Sequence, residues 1–85
     1  MKILYSSHFE RRMKRIDAGL AEVVDERAGI FQKDCFTKVL KTHKLHGKFK
    51  GHWAFSITTK FRIMFIFLDS DSVLFEDVGD HSIYD

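Results

Sequence analysis

The chain has 85 residues, 45% of them hydrophobic, with 14 Lys+Arg against 12 Asp+Glu and a formal net charge of +2. That length allows one domain, and an aromatic content of 14% argues against disorder. One cysteine excludes an internal disulfide, and no apolar run approaches the roughly 18–20 residues of a membrane helix. Cys35 therefore reads as a reduced, buried thiol of a cytoplasmic protein. Residues 1–6 read as too short and too soon charged for a signal peptide.

Lys2-Ile3-Leu4-Tyr5 predicts a short first strand. Ser6 or Ser7 can cap the helix that follows, and Glu10, three residues after Ser7, fits a capping box. A helix over 8–16 groups Phe9, Met13 and Ile16 on one side, with Arg11, Arg12, Lys14 and Arg15 on the other. Gly19 is expected to break it. A second helix is predicted over 21–32, with Leu20, Val23, Val24, Ala28 and Phe31 as its apolar stripe. Gly29 within it hints at close packing. Residues 35–43 are ambiguous.

From there the period changes. Residues 52–58 alternate, with Trp53, Phe55 and Ile57 on one face and His52, Ala54, Ser56 and Thr58 on the other. Thr59-Lys60 makes a turn. Residues 61–68 are apolar almost throughout, as in a central strand. Asp69-Ser70-Asp71-Ser72 turns the chain into a last strand over 73–78, ended by Gly79. The order β-α-α-β-β-β predicts a single α+β domain over 1–85. Two N-terminal helices should pack on one face of a small, mainly antiparallel four-stranded sheet. Trp53 and the phenylalanines are core before they are stacking platforms. Strand parity turns Arg62, His52, Ala54 and Ser56 to the opposite face, which has no obvious cover.

Charge is sorted along this order. Residues 1–34 carry a net +1, residues 35–68 hold seven basic side chains and no acid, and residues 69–85 hold six acids and no Lys or Arg. His43, His46 and His52 also fall in the basic block. Such a block is a candidate polyanion footprint, or a row of lysines guarding strand edges. Arg62 either binds an anion or pairs with Glu76 or Asp77 on the next strand. The tail acids should lie away from the lysine face or raise His81 toward an acid's role.

Three segments carry a family resemblance. His43-Lys44-Leu45-His46-Gly47-Lys48-Phe49-Lys50-Gly51-His52-Trp53 resembles the K-L-x-G-x-x-K-G-x-W segment of the RelE/ParE superfamily of type II toxins. Phe61-Arg62-Ile63-Met64-Phe65 resembles its Y-R-I-I-F strand, and Val78-Gly79-Asp80-His81 with Tyr84 resembles its I-G-x-H…Y ending. Within the superfamily the nearest likeness is to the RelE/YafQ/YoeB-type mRNA interferases. The resemblance implies a small endoribonuclease that cuts mRNA in the ribosomal A site and is neutralised by a cognate antitoxin. It implies a cytoplasmic protein with no membrane partner. A non-enzymatic ParE-like gyrase inhibitor and an inactive member that only binds antitoxin are the alternatives.

Metal-free RNA cleavage needs a base for the 2′-hydroxyl, an acid for the 5′-oxygen, cations for the phosphate and a hold on the nucleotide. By the resemblance, Arg62 meets the scissile phosphate, His81 serves as general acid, and Tyr84 stacks on a base or orients the 2′-hydroxyl. His46 is the first candidate for the base and His43 the second, with Lys48 and Lys50 as base or phosphate clamps. Lys44, Lys48, Lys50, His52 and Lys60 make up the expected RNA-binding set. No cofactor or metal is expected. His43 and His46 could supply two ligands, but no cysteine pair or carboxylate cluster accompanies them.

Overall fold

A computed structural model describes residues 1–84. Asp85, one of the six tail acids, lies outside the described residues. Lys2–Tyr5 forms strand β1. Ser6 is extended, and its hydroxyl accepts a hydrogen bond from the Phe9 amide at 2.9 Å, which caps helix α1 (Ser7–Met13). With Ser6 as the cap, Glu10 falls one position past that of a capping box. Helix α1 ends at Met13, short of the expected Ile16.

Asp17 caps helix α2 (Ala18–Lys33), its Oδ1 accepting from the Leu20 amide at 2.8 Å. Gly19 thus sits in the first turn of α2 and breaks nothing; the Asp17 side chain sets the boundary. Gly29 does not mark close packing either, since a Cβ there would meet nothing within 4 Å.

Strands β2 (His43–Lys44), β3 (Trp53–Ser56), β4 (Arg62–Asp69) and β5 (Ser72–Gly79) complete a five-stranded sheet in the order β1-β5-β4-β3-β2. The expectation of four strands is corrected by β2, whose two residues are too few to show alternation. A second correction is that β1 runs parallel to β5, with Lys2 opposite Ser72 and Tyr5 opposite Phe75. The other three pairings are antiparallel. Met64 pairs with Asp77 and Phe65 with Phe75, so β5 carries an extra residue at Glu76. This bulge lets Phe75 and Val78, of opposite parity, both enter the core.

Helix α2 lays Phe31 on the sheet. Its ring stacks on Phe55 at 4.7 Å and meets Phe65 and Phe75 edge-on at 5.0 and 5.4 Å. Phe55, Ile63 and Phe65 are fully buried there, as the strand parity predicts. Trp53, Phe61 and Phe67 pack at the margin of this cluster. Cys35 is a buried free thiol, and burial, with Asp34 beside it, pushes its pKa up. Among the described residues no helix is long and apolar enough to cross a membrane.

The face away from the helices is not bare. Ala54 is fully buried on it, and Ser56 and Met64 nearly so. Two 3-10 turns, Gly47–Phe49 and His81–Tyr84, flank this face, and Phe49 meets Tyr84 across it at 6.0 Å between ring centroids. The expected open sheet face is therefore a groove.

Candidate functional site

Arg62 opens β4 and lies between Ser56, the last residue of β3, and Gly79, the last residue of β5. Its Nη1 donates to Ser56 Oγ at 3.0 Å. Gly79 supplies space in this row. A Cβ there would stand 2.5 Å from Arg12 Nη2 and 2.7 Å from Ile83 Cγ2. Ile83 uses that space and is buried, which anchors the His81–Tyr84 turn against β5. Asp80 starts the turn, its Oδ1 accepting from the Ser82 amide at 2.9 Å. Hydrogen bonds from Ser82 hold the Asp80 carboxyl below its ordinary pKa. The outcome is that His81 Nε2 comes within 3.4 Å of Arg62 Nη2.

Arg62, His81, Tyr84, His46 and His43 all line one groove of about 620 Å³, together with Lys48. Residues more than 35 positions apart in sequence thus share one cavity. His43 Nδ1 lies 2.8 Å from the Lys41 carbonyl oxygen. A carbonyl can only accept, so in the neutral imidazole Nδ1 is the donor and Nε2 the free acceptor. His46 precedes Gly47, whose φ of 65° lies in the left-handed region and turns the chain over the groove. The Tyr84 hydroxyl is buried without a hydrogen-bond partner among the described residues, and burial pushes its pKa up against the opposing pull of Arg62. Its ring meets His81 and Phe49, each at 6.0 Å.

The ion pair considered for Arg62 does not form. Glu76 Oε2 takes His52 Nε2 at 2.8 Å, and Asp77 Oδ1 is shared by His8 Nε2 at 3.2 Å and Arg12 Nε at 3.4 Å. Arg62 has no ion-pair partner among the described residues. None of the described tail acids forms an ion pair with His81. Besides these two, Asp71 is 3.9 Å from the Met1 amino group, Asp69 accepts from the Asp71 amide, and Asp80 is turned onto Ser82.

The expected RNA-binding set is divided. Lys48 lines the groove, but Lys44, Lys50 and His52 line a different cavity, of about 530 Å³, which shares Leu45 and His46 with it. Lys44 places its ammonium 5.5 Å from the centre of the Trp53 ring, its partner across β2 and β3. His52 is occupied by Glu76. Lys60 sits exposed in the β3–β4 turn. Three groove residues, Lys41, Leu45 and Phe49, escaped the sequence reading. Lys41 lines the groove from a left-handed backbone position, φ 52°, within the ambiguous stretch. Phe49, counted with the core, is half-buried and lines the groove. Their only signal in the sequence is their place in the acid-free block.

No protein-family model matches the chain, and no curated protein does. Solved structures do. The YoeB/ParE toxin from Agrobacterium tumefaciens superposes with a TM-score of 0.79 at 20% identity, over 95% of this chain and 99% of that one. YafQ from E. coli strain BL21(DE3) gives 0.75 at 18% identity, over 98% and 96%. The YoeB–YefM complex from Staphylococcus aureus gives 0.76 at 14% identity, over 95% and 97%. Over essentially its whole length, the chain has the fold of the YoeB- and YafQ-type toxins.

Proposed function

We propose that the chain is the toxin of a type II toxin–antitoxin system and that it cleaves mRNA in the ribosomal A site by metal-independent acid–base chemistry. The observation that carries this reading is Arg62: a half-buried guanidinium without a carboxylate partner among the described residues, set beside His81 in a groove shared with two more histidines. A guanidinium so placed, with no described acid to neutralise it, is a seat for a phosphate.

The base takes the 2′-hydroxyl proton, and the 2′-oxygen attacks phosphorus. The phosphorus–5′-oxygen bond breaks, which leaves a 2′,3′-cyclic phosphate on one fragment. His43 fits the base's role through its unprotonated Nε2, whereas His46, the first choice on sequence, has no contact that fixes its tautomer. Arg62 holds the non-bridging oxygens and stabilises the charge that grows on them. A phosphate that draws Arg62 to itself leaves His81 to deliver a proton to the departing 5′-oxygen. Tyr84 and Phe49 offer ring faces and edges to a base, and Lys41 and Lys48 supply further cations. Lys44, Lys50, His52 and Lys60 belong to the approaches of the groove. YoeB of Staphylococcus aureus was solved with YefM and E. coli YafQ with DinJ. By analogy this chain acts in the cytoplasm and is held by an antitoxin of its own.

The test is expression from a tight promoter with mRNA 5′ ends mapped in cells, alongside Arg62→Ala and His81→Ala. Codon-phased cleavage that disappears in both variants is expected. Growth arrest with DNA damage and intact mRNA would point to gyrase instead. Absence of toxicity with tight antitoxin binding would mark an inactive chain.

A further inference from the structure

Helix α2 places Arg27 at a second cavity, of about 330 Å³, on the other side of Arg62. Lys41, Ser56 and Arg62 line both cavities, so the two adjoin along that wall. Three cations, Arg27, Lys41 and Arg62, border the second one, with Thr58 and Thr59 and no acid. The Arg27 side chain is only 24% exposed, and its Nε is buried with no hydrogen-bond partner among the described residues. The nearest carboxylate oxygen, Glu26 Oε1, stands 3.9 Å away on a side chain that is 70% exposed. An N–H withdrawn from water without a hydrogen bond is costly, and an anion in the cavity would offset that cost. Thr58 Oγ1 already accepts from the Lys60 and Phe61 amides at 3.2 and 3.0 Å, so its hydroxyl proton points elsewhere and can be donated.

We propose that this cavity is a second phosphate site, which receives a neighbouring phosphodiester of the same RNA strand whose scissile phosphate meets Arg62. The proposal rests on the RNA reading of the first groove. Two adjoining cationic cavities that share one arginine suit a ligand whose charges repeat along a chain, and a nucleic-acid backbone is such a ligand. Contacts of this kind fix the register of a strand without reading its sequence.

The test uses the full chain carrying His81→Ala, so that RNA survives, and a single-stranded RNA pentanucleotide. The Nε–Hε proton of Arg27 gives its own NMR signal, which should shift as the pentanucleotide is added. Arg27→Gln should raise Kd about tenfold and reduce the salt slope by about 0.7, the value of one single-strand phosphate contact. Arg27→Lys should keep the slope, which separates lost charge from lost fold. A dinucleotide, with one phosphodiester, should bind Arg27→Gln as it binds the parent.

An unmoved Arg27 signal with unchanged Kd, while Arg62→Ala loses RNA, would overturn the second site and leave the first standing. RNA binding that survives Arg62→Ala but not Arg27→Gln would uphold the second site and remove the first. A signal that answers inorganic phosphate but not RNA would mean an adventitious ion only, and overturn the proposal. So would a defect confined to antitoxin binding, which would assign the cavity to a protein.

Discussion

The two faces of β3 and β4 come from the same few residues and answer to opposite requirements. On the helix side, Phe55, Ile63 and Phe65 are closed off by Phe31 and Phe75, and every ring finds other rings. On the groove side, neighbours in the same strands leave bonding capacity unspent. Among the described residues Arg62 has no carboxylate, and the hydroxyl of Tyr84, which lines the groove with it, has no hydrogen-bond partner. One face is finished by the protein itself, and the other is finished only by something that arrives. A side chain's worth therefore has to be measured differently on each: by unfolding on the first, by the proposed RNA cleavage on the second.

Three substitutions test that division, in descending order of expected effect. Phe55→Ala removes a fully buried ring and should cost about 3–5 kcal/mol in denaturant unfolding, a large share of a small domain's stability. Arg62→Ala, whose own protein contacts are the hydrogen bond to Ser56 and the approach to His81, should leave the unfolding midpoint nearly in place. Equal losses of stability in the two variants would erase the distinction between the faces.

Gly79→Ala sits on the boundary. The added Cβ would collide with Ile83 and the end of Arg12, at about 1–3 kcal/mol for an overpacked site. Displacing Ile83 should carry His81 away from Arg62. RNA cleavage should therefore fall further than the shift in melting temperature alone explains. Cleavage that falls only in step with stability would mean that the turn does not position the histidine.

The smallest effect concerns acid. Asp80 has a folded pKa below its ordinary value of 3.8, because Ser82 donates to its carboxylate. The stabilisation is thus fully present above about 3.8 and is lost as pH falls through the lower, folded value. Asp80→Asn should lower stability slightly near neutrality and meet the parent's curve at acid pH, so that the acid limb becomes shallower. A loss of equal size at all pH values would show that the side chain acts through packing rather than charge.

Much of the helix-facing side was legible in the sequence, because alternation in 52–58 and the apolar run in 61–68 specify which residues face inward. The groove was partly legible. Arg62 follows from parity, but its freedom from Glu76 and Asp77 does not, since the bulge on β5 and the ties to His52, His8 and Arg12 decide it. His52 looked like one more basic-block histidine because its acceptor lies 24 residues away. The β1–β5 pairing joins strands about 70 residues apart in parallel, with no hairpin turn to announce it. Lys41 was hidden by a backbone conformation that non-glycine residues seldom adopt.

That parallel pairing also sets a schedule. Strand β5 occupies the interior of the sheet, between β1 and β4, and the Ser6 hydroxyl donates to the Glu76 carbonyl across 70 positions. A nascent chain that has reached residue 71 already owns both helices, Arg62 and three histidines of the basic block. It has nothing yet to lay beside β1 and no His81 to set against Arg62. Contacts so distant in sequence close late. The groove can thus assemble only once residues 72–84 have joined the chain. A chain that stops short of these residues has Arg62 and the basic-block histidines but not the arrangement that the proposed cleavage needs.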